Sequence, residues 1–301
     1  MESKRVTIQV QSVVYRNEFE SLKSAVAAMA NAVRVYNELD GGDCHLTYVC
    51  GDGSPAPVLT DAQVQFLRDE YGKYVDFKYT IFGENTGSAK GHNWLAKGAD
   101  AEYLTIMNPD VKVSPHFLRE ILKPFSDPTV AMVEARQTPF EHQKEYDAHT
   151  LETEWATTAC CLIRRTVFEE LKGFDSDTFF LYCDDLDFSW RLRLAGYRII
   201  YQPLAPVFHG KELTITGGWK PTAAEKYYSA EAALLMAHKW SNPKRVTELL
   251  KTFENGDENC QKAAREFLKR KKEGRLPQPI DPEHKIARFN GDYYSENRFV
   301  L

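Results

Sequence analysis

The sequence predicts an α/β fold, a mostly parallel central sheet with helices on both faces, followed by a C-terminal helical extension. Three observations predict it. Strand-like and helix-like patterns alternate from Val6 to Phe82, which is the order of a parallel sheet with crossover helices. Polar clusters follow strand after strand. Strand patterns then stop near Gly217, where long helical patterns take over. This divides the chain into an α/β domain over 1–216 and a helical extension over 217–301.

Val6 to Val14 carries Val6, Ile8 and Val10 and then Val13-Val14, as a strand buried on both faces would. Glu18 to Tyr36 is a helix, with Leu22, Val26, Met29 and Val33 three and four residues apart. Cys44 to Cys50 is a second strand, ended by Gly51-Asp52-Gly53-Ser54-Pro55. Thr60 to Tyr71 reads as a helix, and Val75 to Phe82 and Tyr103 to Met107 as strands. Pro115 to Phe125 is a helix with Pro in its first turn, and Val130 to Glu134 is a short strand. Gln137 to Thr153, with His142 and His149, is unpatterned and is expected to lie as a loop over the site. Ala159 to Ile163 is apolar, and Thr166 to Lys172 is a short helix closed by Gly173. A helix starts near the acids of Asp184-Asp185-Leu186-Asp187 and stops at Gly196. Tyr197 to Tyr201 is a strand, followed by Pro203, Pro206 and His209-Gly210. Pro221 to Trp240 and Lys244 to Lys272 are helical, the second with a break at Gly256; Leu276 to Leu301 has little pattern.

The 301 residues are 43% hydrophobic and 27% charged, as in ordinary globular proteins. A net charge of −5 argues against a general polyanion binder, so no nucleic-acid partner is expected; Lys262 to Arg275 is one candidate for a local basic patch. No apolar run is long enough to span a bilayer. The six cysteines include no Cys-x-x-Cys pair, and with no signal-peptide core at the start they are expected to be reduced and the protein cytoplasmic.

In open α/β sheets ligands bind beyond the carboxyl ends of the strands. The residues there are Tyr15-Arg16-Asn17, Gly51-Asp52-Gly53-Ser54, Glu84-Asn85-Thr86-Gly87 and Asn108-Pro109-Asp110. Asn108 and Asp110 offer the oxygen ligands that Mg2+ or Mn2+ prefer, and His209 is a further candidate. Asp52 could accept hydrogen bonds from a base or ribose, with Gly51 and Gly53 allowing close approach. Asp184 or Asp185 can also cap the helix that follows. Gly-x-Gly-x-x-Gly, Gly-x-x-x-x-Gly-Lys-Ser/Thr and Gly-x-Ser-x-Gly are absent, which argues against dinucleotide-dependent dehydrogenases, P-loop NTPases and serine hydrolases.

Five segments in order resemble the inverting glycosyltransferases of family 2, most of all the rhamnosyltransferase-type branch. They are Asn85-Thr86-Gly87-Ser88-Ala89-Lys90-Gly91-His92-Asn93, Tyr103 to Val111 with its Asn-Pro-Asp-Val, Ala159 to Arg165 running on to Gly173-Phe174-Asp175, Tyr182 to Tyr197, and Val207-Phe208-His209-Gly210. The likeness covers Val6 to Gly210. Gly51 stands where the family usually has an acid, and Asp184 where it usually has Glu. The Gln-x-x-Arg-Trp motif of polymerising members is absent, which implies transfer of a single sugar.

The resemblance implies the GT-A fold and an inverting transfer from a nucleoside-diphosphate sugar, dTDP-rhamnose or a UDP-sugar, to a hydroxyl of a glycan or lipid-linked glycan in surface polysaccharide synthesis. It implies Asp185 as the base, by position in the motif, with Asp184 supporting it or capping. Asp110 and His209 would hold Mn2+ or Mg2+, with Asn108 beside them. Tyr15, Asn17, Asp52, Asn85, Gly87, Lys90, Asn93, Asn108 and Asp110 would line the donor site, and Arg191 or Arg193 would pair with diphosphate or with the acids. The extension is expected to pack on the first domain, to mediate a homo-oligomer or to touch the inner face of a membrane. Rival readings are a sugar nucleotidyltransferase and a non-catalytic nucleotide-sugar or glycan-binding scaffold.

Overall fold

The computed structural model describes residues 5–139, 141, 145–210, 222–291, 294 and 295. His142 and the predicted domain junction near residue 217 lie outside them. Among the described residues, eight strands form one sheet: β1 (Val6–Val14), β2 (Cys44–Asp52), β3 (Asp76–Ile81), β4 (Tyr103–Met107), β5 (Val111–Val113), β6 (Val130–Thr138), β7 (Cys160–Arg164) and β8 (Arg198–His209). Their order is β3-β2-β1-β4-β7-β6-β8-β5. The strands β1 to β4 are mutually parallel, and β6 runs parallel to β8. β7 is antiparallel to both neighbours, and β5 is antiparallel to β8.

The period-2 alternation of β4 and β7 separates two apolar layers. Tyr103, Met107, Cys160 and Leu162 join the layer under α1 (Phe19–Glu38), α2 (Asp61–Tyr71) and α4 (Phe117–Leu122). Leu104, Ile106, Cys161 and Ile163 join the opposite layer, under α3 (Gly87–Ala96), α5 (Arg165–Glu170) and α6 (Asp184–Leu194). A sheet buried on both faces is why these strands read as continuous apolar runs.

Four elements differ from expectation. The helix α3 is hidden by Gly87, Gly91 and Asn93, which are poor helix formers. Gly91 is there for packing, since a Cβ would stand 2.8 Å from both Thr86 Oγ1 and Val13 Cγ2. The helix predicted over Pro115 to Phe125 is only Phe117–Leu122, followed by a 3-10 turn over Lys123–Ser126 that contains Pro124. β6 runs on to Thr138, so Gln137 is a strand residue rather than part of the loop. β8 likewise continues through Pro203 and Pro206. Its ladder with β6 jumps between Ala135 and Arg136, whose partners are Gln202 and Pro206. Pro203-Leu204-Ala205 form a bulge there, and a bulge is where a strand tolerates proline.

The extension is three helices, α7 (Ala223–Lys239), α8 (Pro243–Glu254) and α9 (Glu258–Lys272). Thr222 caps α7 through a reciprocal box with Glu225, and Asn242 and Asp257 cap the next two. Its apolar residues form a third cluster, in which Leu234, Leu235, Trp240, Leu249 and Phe267 pack with Phe179, Leu186 and Trp190. Trp190 and Trp240 meet edge to face at 5.1 Å, a contact of about 1 kcal/mol beyond its buried area. No helix among the described residues is long and apolar enough to cross a membrane.

Candidate active site

The carboxyl ends of β1 to β4 share one edge of the sheet, and their loops are tied together there. The backbone N–H of Arg16, after β1, donates to Ser54 Oγ after β2 at 2.8 Å. The amide oxygen of Asn17 turns back to accept from the N–H of Tyr15. After β3, Asn85 Oδ1 accepts from the N–H of Gly87. Tyr15 and Asn85 are exposed on this rim.

Asp52 is not on the open rim. It is the last residue of β2 and 0% exposed. Its Oδ1 accepts from the N–H of Ser54, and its Oδ2 from the N–H of Val58 and the hydroxyl of Tyr79. These bonds favour the carboxylate and hold it below the usual range against the opposing effect of burial. These contacts hold Asp52 within the turn after β2. Asn93 is also bound within the fold. Its amide donates to the carbonyl of Phe174 at 2.8 Å and accepts from the same residue's N–H at 2.9 Å, so both ends are consumed in joining α3 to the Gly-Phe-Asp segment. Lys90 pairs with Glu84 at 2.6 Å and lies over the ring of Trp94.

At the end of β4, Asn108 Nδ2 lies 3.2 Å from Nε2 of His209, the last residue of β8. The same nitrogen is 3.5 Å from Asp110 Oδ1. His209 is buried and Asp110 partly open, so the pair faces outward from a fixed base. The spacing suits two cis ligands of one small cation. Among the described residues no group of three or more His, Cys, Asp or Glu could hold a metal. A hard cation here would complete its shell with phosphate oxygens and water, as Mg2+ commonly does.

The acids of α6 approach from the side. Tyr182 and Cys183 stand at φ 68° and 57°, and the second is the N-cap. Two successive left-handed non-glycine residues cost about 1–3 kcal/mol each and cluster at functional sites. They make a sharp corner that aims the start of the helix. Asp184 and Asp185 are thus the first helical residues rather than the cap residue, where their charges meet the positive end of the helix dipole. The corner is docked onto α3: the N–H of Ser88 donates to the carbonyl of Phe180 at 3.0 Å. Gly87 has φ +65°, and a Cβ there would stand 2.2 Å from that carbonyl. Asp184 is buried against the Ser88 hydroxyl; burial first, and the Asp185 charge second, push its carboxyl up to about 7. Asp185 is half-buried, accepts from the N–H of Leu186, and borders a mainly apolar cavity of about 550 Å³ that also touches Trp155, Leu186, Ala233, Leu249 and Phe253.

The third acid is different in kind. Asp187 is fully buried and ion-paired with Arg191 at 2.7 Å and Lys239 at 2.6 Å, and it accepts from the indole N–H of Trp240. Arg191 also donates to the carbonyls of Leu171 and Gly173. The expected pairing of Arg191 with the acids is found, and it is structural. Arg193 lies 3.9 Å from Glu154 instead.

The family model for glycosyl transferase family 2 matches residues 13–187. The chain belongs to this family. The chain is 26% identical over 206 residues to a pre-mycofactocin glycosyltransferase of Mycobacterium tuberculosis, a match covering 62% of this chain and 41% of that protein. It is 40% identical over 57 residues to the N-acetylglucosaminyl-diphospho-decaprenol L-rhamnosyltransferase of the same organism, covering 19% of this chain and 18% of that one. The chain thus spans well under half the length of these curated relatives. A mannosyltransferase from Pyrobaculum calidifontis, solved with GDP-Man and Mn2+, superposes with TM-score 0.57 at 17% identity, over 92% of this chain and 82% of that one. GalNAc-T7, solved with UDP, GalNAc and Mn2+, gives 0.62 at 13% identity, over 87% and 54%. These likenesses establish the GT-A fold.

Sequence reasoning missed several residues that build the site: Ser88 and Phe180 at the corner, Lys239 and Trp240 on Asp187, and Gln137, Thr157 and Glu134 beneath His209. Glu134, an acid at the end of the predicted Val130 to Glu134 strand, was the one visible signal.

Proposed function

We propose that this glycosyltransferase is inverting and non-processive. It would move one sugar from a nucleoside-diphosphate sugar, of the dTDP-rhamnose or UDP-sugar kind, to a hydroxyl of a glycan or lipid-linked glycan in surface polysaccharide synthesis. One observation carries the reading: the Asp110–His209 pair and the α6 acids are held at the same sheet edge, the second through the contact of Gly87 and Ser88 with Phe180. A rhamnosyltransferase among the relatives supports the donor class.

Inversion by direct displacement needs a base that removes the proton of the acceptor hydroxyl as its oxygen attacks the anomeric carbon. Asp185 takes this role, because it is the more open acid and faces the apolar cavity, which would take the acceptor's apolar part. Asp184 supports it from behind, fixed by Ser88. Asp110 and His209, with Asn108, would hold Mn2+ or Mg2+. When bound, the cation would balance the charge that develops on the departing diphosphate. Tyr15, Asn17 and Asn85 are left to meet the nucleoside. The same reading keeps the protein in the cytoplasm at the inner face of the membrane, where the cationic last turn of α9 would meet anionic lipid.

A thermal-shift panel of UDP, dTDP and GDP, each with and without Mn2+, tests the reading. One nucleoside diphosphate should raise the melting temperature only with the cation. Saturation at about 100 times Kd stabilises by about 2.7 kcal/mol. No cation-dependent shift with any of the three would sink the proposal.

A further inference from the structure

Beneath the rim, His209 is joined to a buried carboxylate by an unbroken polar chain. His209 Nδ1 is 3.0 Å from Gln137 Oε1, Gln137 Nε2 donates to Thr157 Oγ1 at 2.7 Å, and Thr157 Oγ1 donates to Glu134 Oε1 at 3.0 Å. All four residues are buried, each at most 3% exposed. Glu134 and Gln137 sit three apart on β6, where strict alternation would put them on opposite faces. The break in the β6–β8 ladder at Ala135 and Arg136 lies between them.

The polarity of such a chain follows from its acidic end. An ionised carboxylate can only accept, so Thr157 must give its one hydroxyl proton to Glu134. Thr157 can then only accept from Gln137, and the Gln137 amide must present NH2 to Thr157 and oxygen to His209. An amide oxygen cannot donate, so the imidazole proton belongs on Nδ1. That leaves the lone pair on Nε2, the nitrogen facing Asn108 and Asp110. A protonated Glu134 would allow every bond to reverse, and Nε2 would carry the proton instead.

We propose that Glu134, Thr157 and Gln137 are positioning residues that fix the tautomer of His209, so that its unprotonated Nε2 is presented beside Asp110 before any cation arrives. The inference rests on the reading of His209 as a cation ligand, and it assigns that reading a support which neither its motif nor the family likeness describes. Outer partners of a ligating histidine set its tautomer and ring orientation, and their loss typically weakens metal affinity 10–100-fold.

The test uses the metal-free full chain, with 15N-labelled histidine and two-bond 1H–15N correlation spectra. The parent should show His209 as the Nδ1–H tautomer. Thr157→Val, which keeps the shape and removes the hydroxyl, should release that preference, and Thr157→Ser should keep it. Mn2+ titration followed by electron paramagnetic resonance should show about tenfold weaker binding for T157V and parent-like binding for T157S. A parent spectrum with the proton on Nε2 overturns the proposal, and it needs no variant to fold. So does a T157V spectrum identical to the parent's. A tautomer released in T157V with Mn2+ binding unchanged upholds the positioning chain and overturns His209 as a ligand, so the two failures are distinct.

Discussion

The helix α6 meets two regions of the molecule, and its acids are divided between them. On the rim side, Asp184 and Asp185 start the helix at a strained corner, one buried beside Ser88 and the other bordering a cavity. On the flank, Asp187 is sealed under the C-terminal helices, with two ion pairs and an indole N–H. Three carboxylates within four positions thus do two kinds of work. A charge at the edge of a cavity can meet a ligand, as the proposed base would. A charge paired on every side holds two parts of the fold together and is spent. The extension is a support for the motif as well as an addition to it, because Lys239 bridges Asp187 and Asp175, the acids of two separate segments.

The largest expected effect separates the two regions most sharply. Asp185→Asn keeps the size and the bond to Leu186 N–H but removes the base. Turnover should fall by about 10²–10⁴-fold, the range for general-base catalysis, while nucleoside-diphosphate binding and the melting temperature stay near the parent's. Near-parent turnover in D185N would dismiss Asp185 as the base and return the role to Asp184.

Asp187→Ala should do the reverse. Removing Asp187 takes the buried carboxylate from Arg191 and leaves Lys239 with Asp175 alone, and breaking a buried ion pair costs about 3–5 kcal/mol. Denaturant unfolding of D187A should show that loss. A loss below about 1 kcal/mol would mean that the extension is held by its apolar cluster alone.

This division was half legible in the sequence. The strands β1 to β4 and the long helices announce themselves through apolar periodicity, because each buries a fixed face. The ordered motifs pointed to Asn108, Asp110, Asp184, Asp185 and His209. Hydrogen bonding between distant segments has no such period. Nothing local to Asn93 shows that Phe174 will use both ends of its amide, and nothing local to Asp52 shows that Tyr79 and Val58 will fill its oxygens. Glycine has two meanings here. It marks a turn at Gly173 but a close helix contact at Gly91, and the two look alike in sequence.

Asp184 offers the finest distinction, since it belongs to the rim but is as buried as Asp187. It differs in what surrounds it: burial first and the Asp185 charge second outweigh the hydrogen bonds from Ser88 and the backbone, and its carboxyl rises to about 7. The sign of the effect follows. Below about pH 4 the group is neutral whether the chain is folded or unfolded. As the pH rises, the unfolded chain releases this proton first while the folded chain still holds it, so folding becomes progressively less favourable. Above about pH 7 the folded carboxyl ionises too, and the penalty levels off. Asp184→Asn removes the titration. Its stability relative to the parent should therefore increase between pH 5 and pH 8, by on the order of 2 kcal/mol. Any packing cost of the substitution is common to both pH values and cancels in the difference. A gap that stays flat would mean that Asp184 ionises freely in the folded chain and that the α6 corner is open to water.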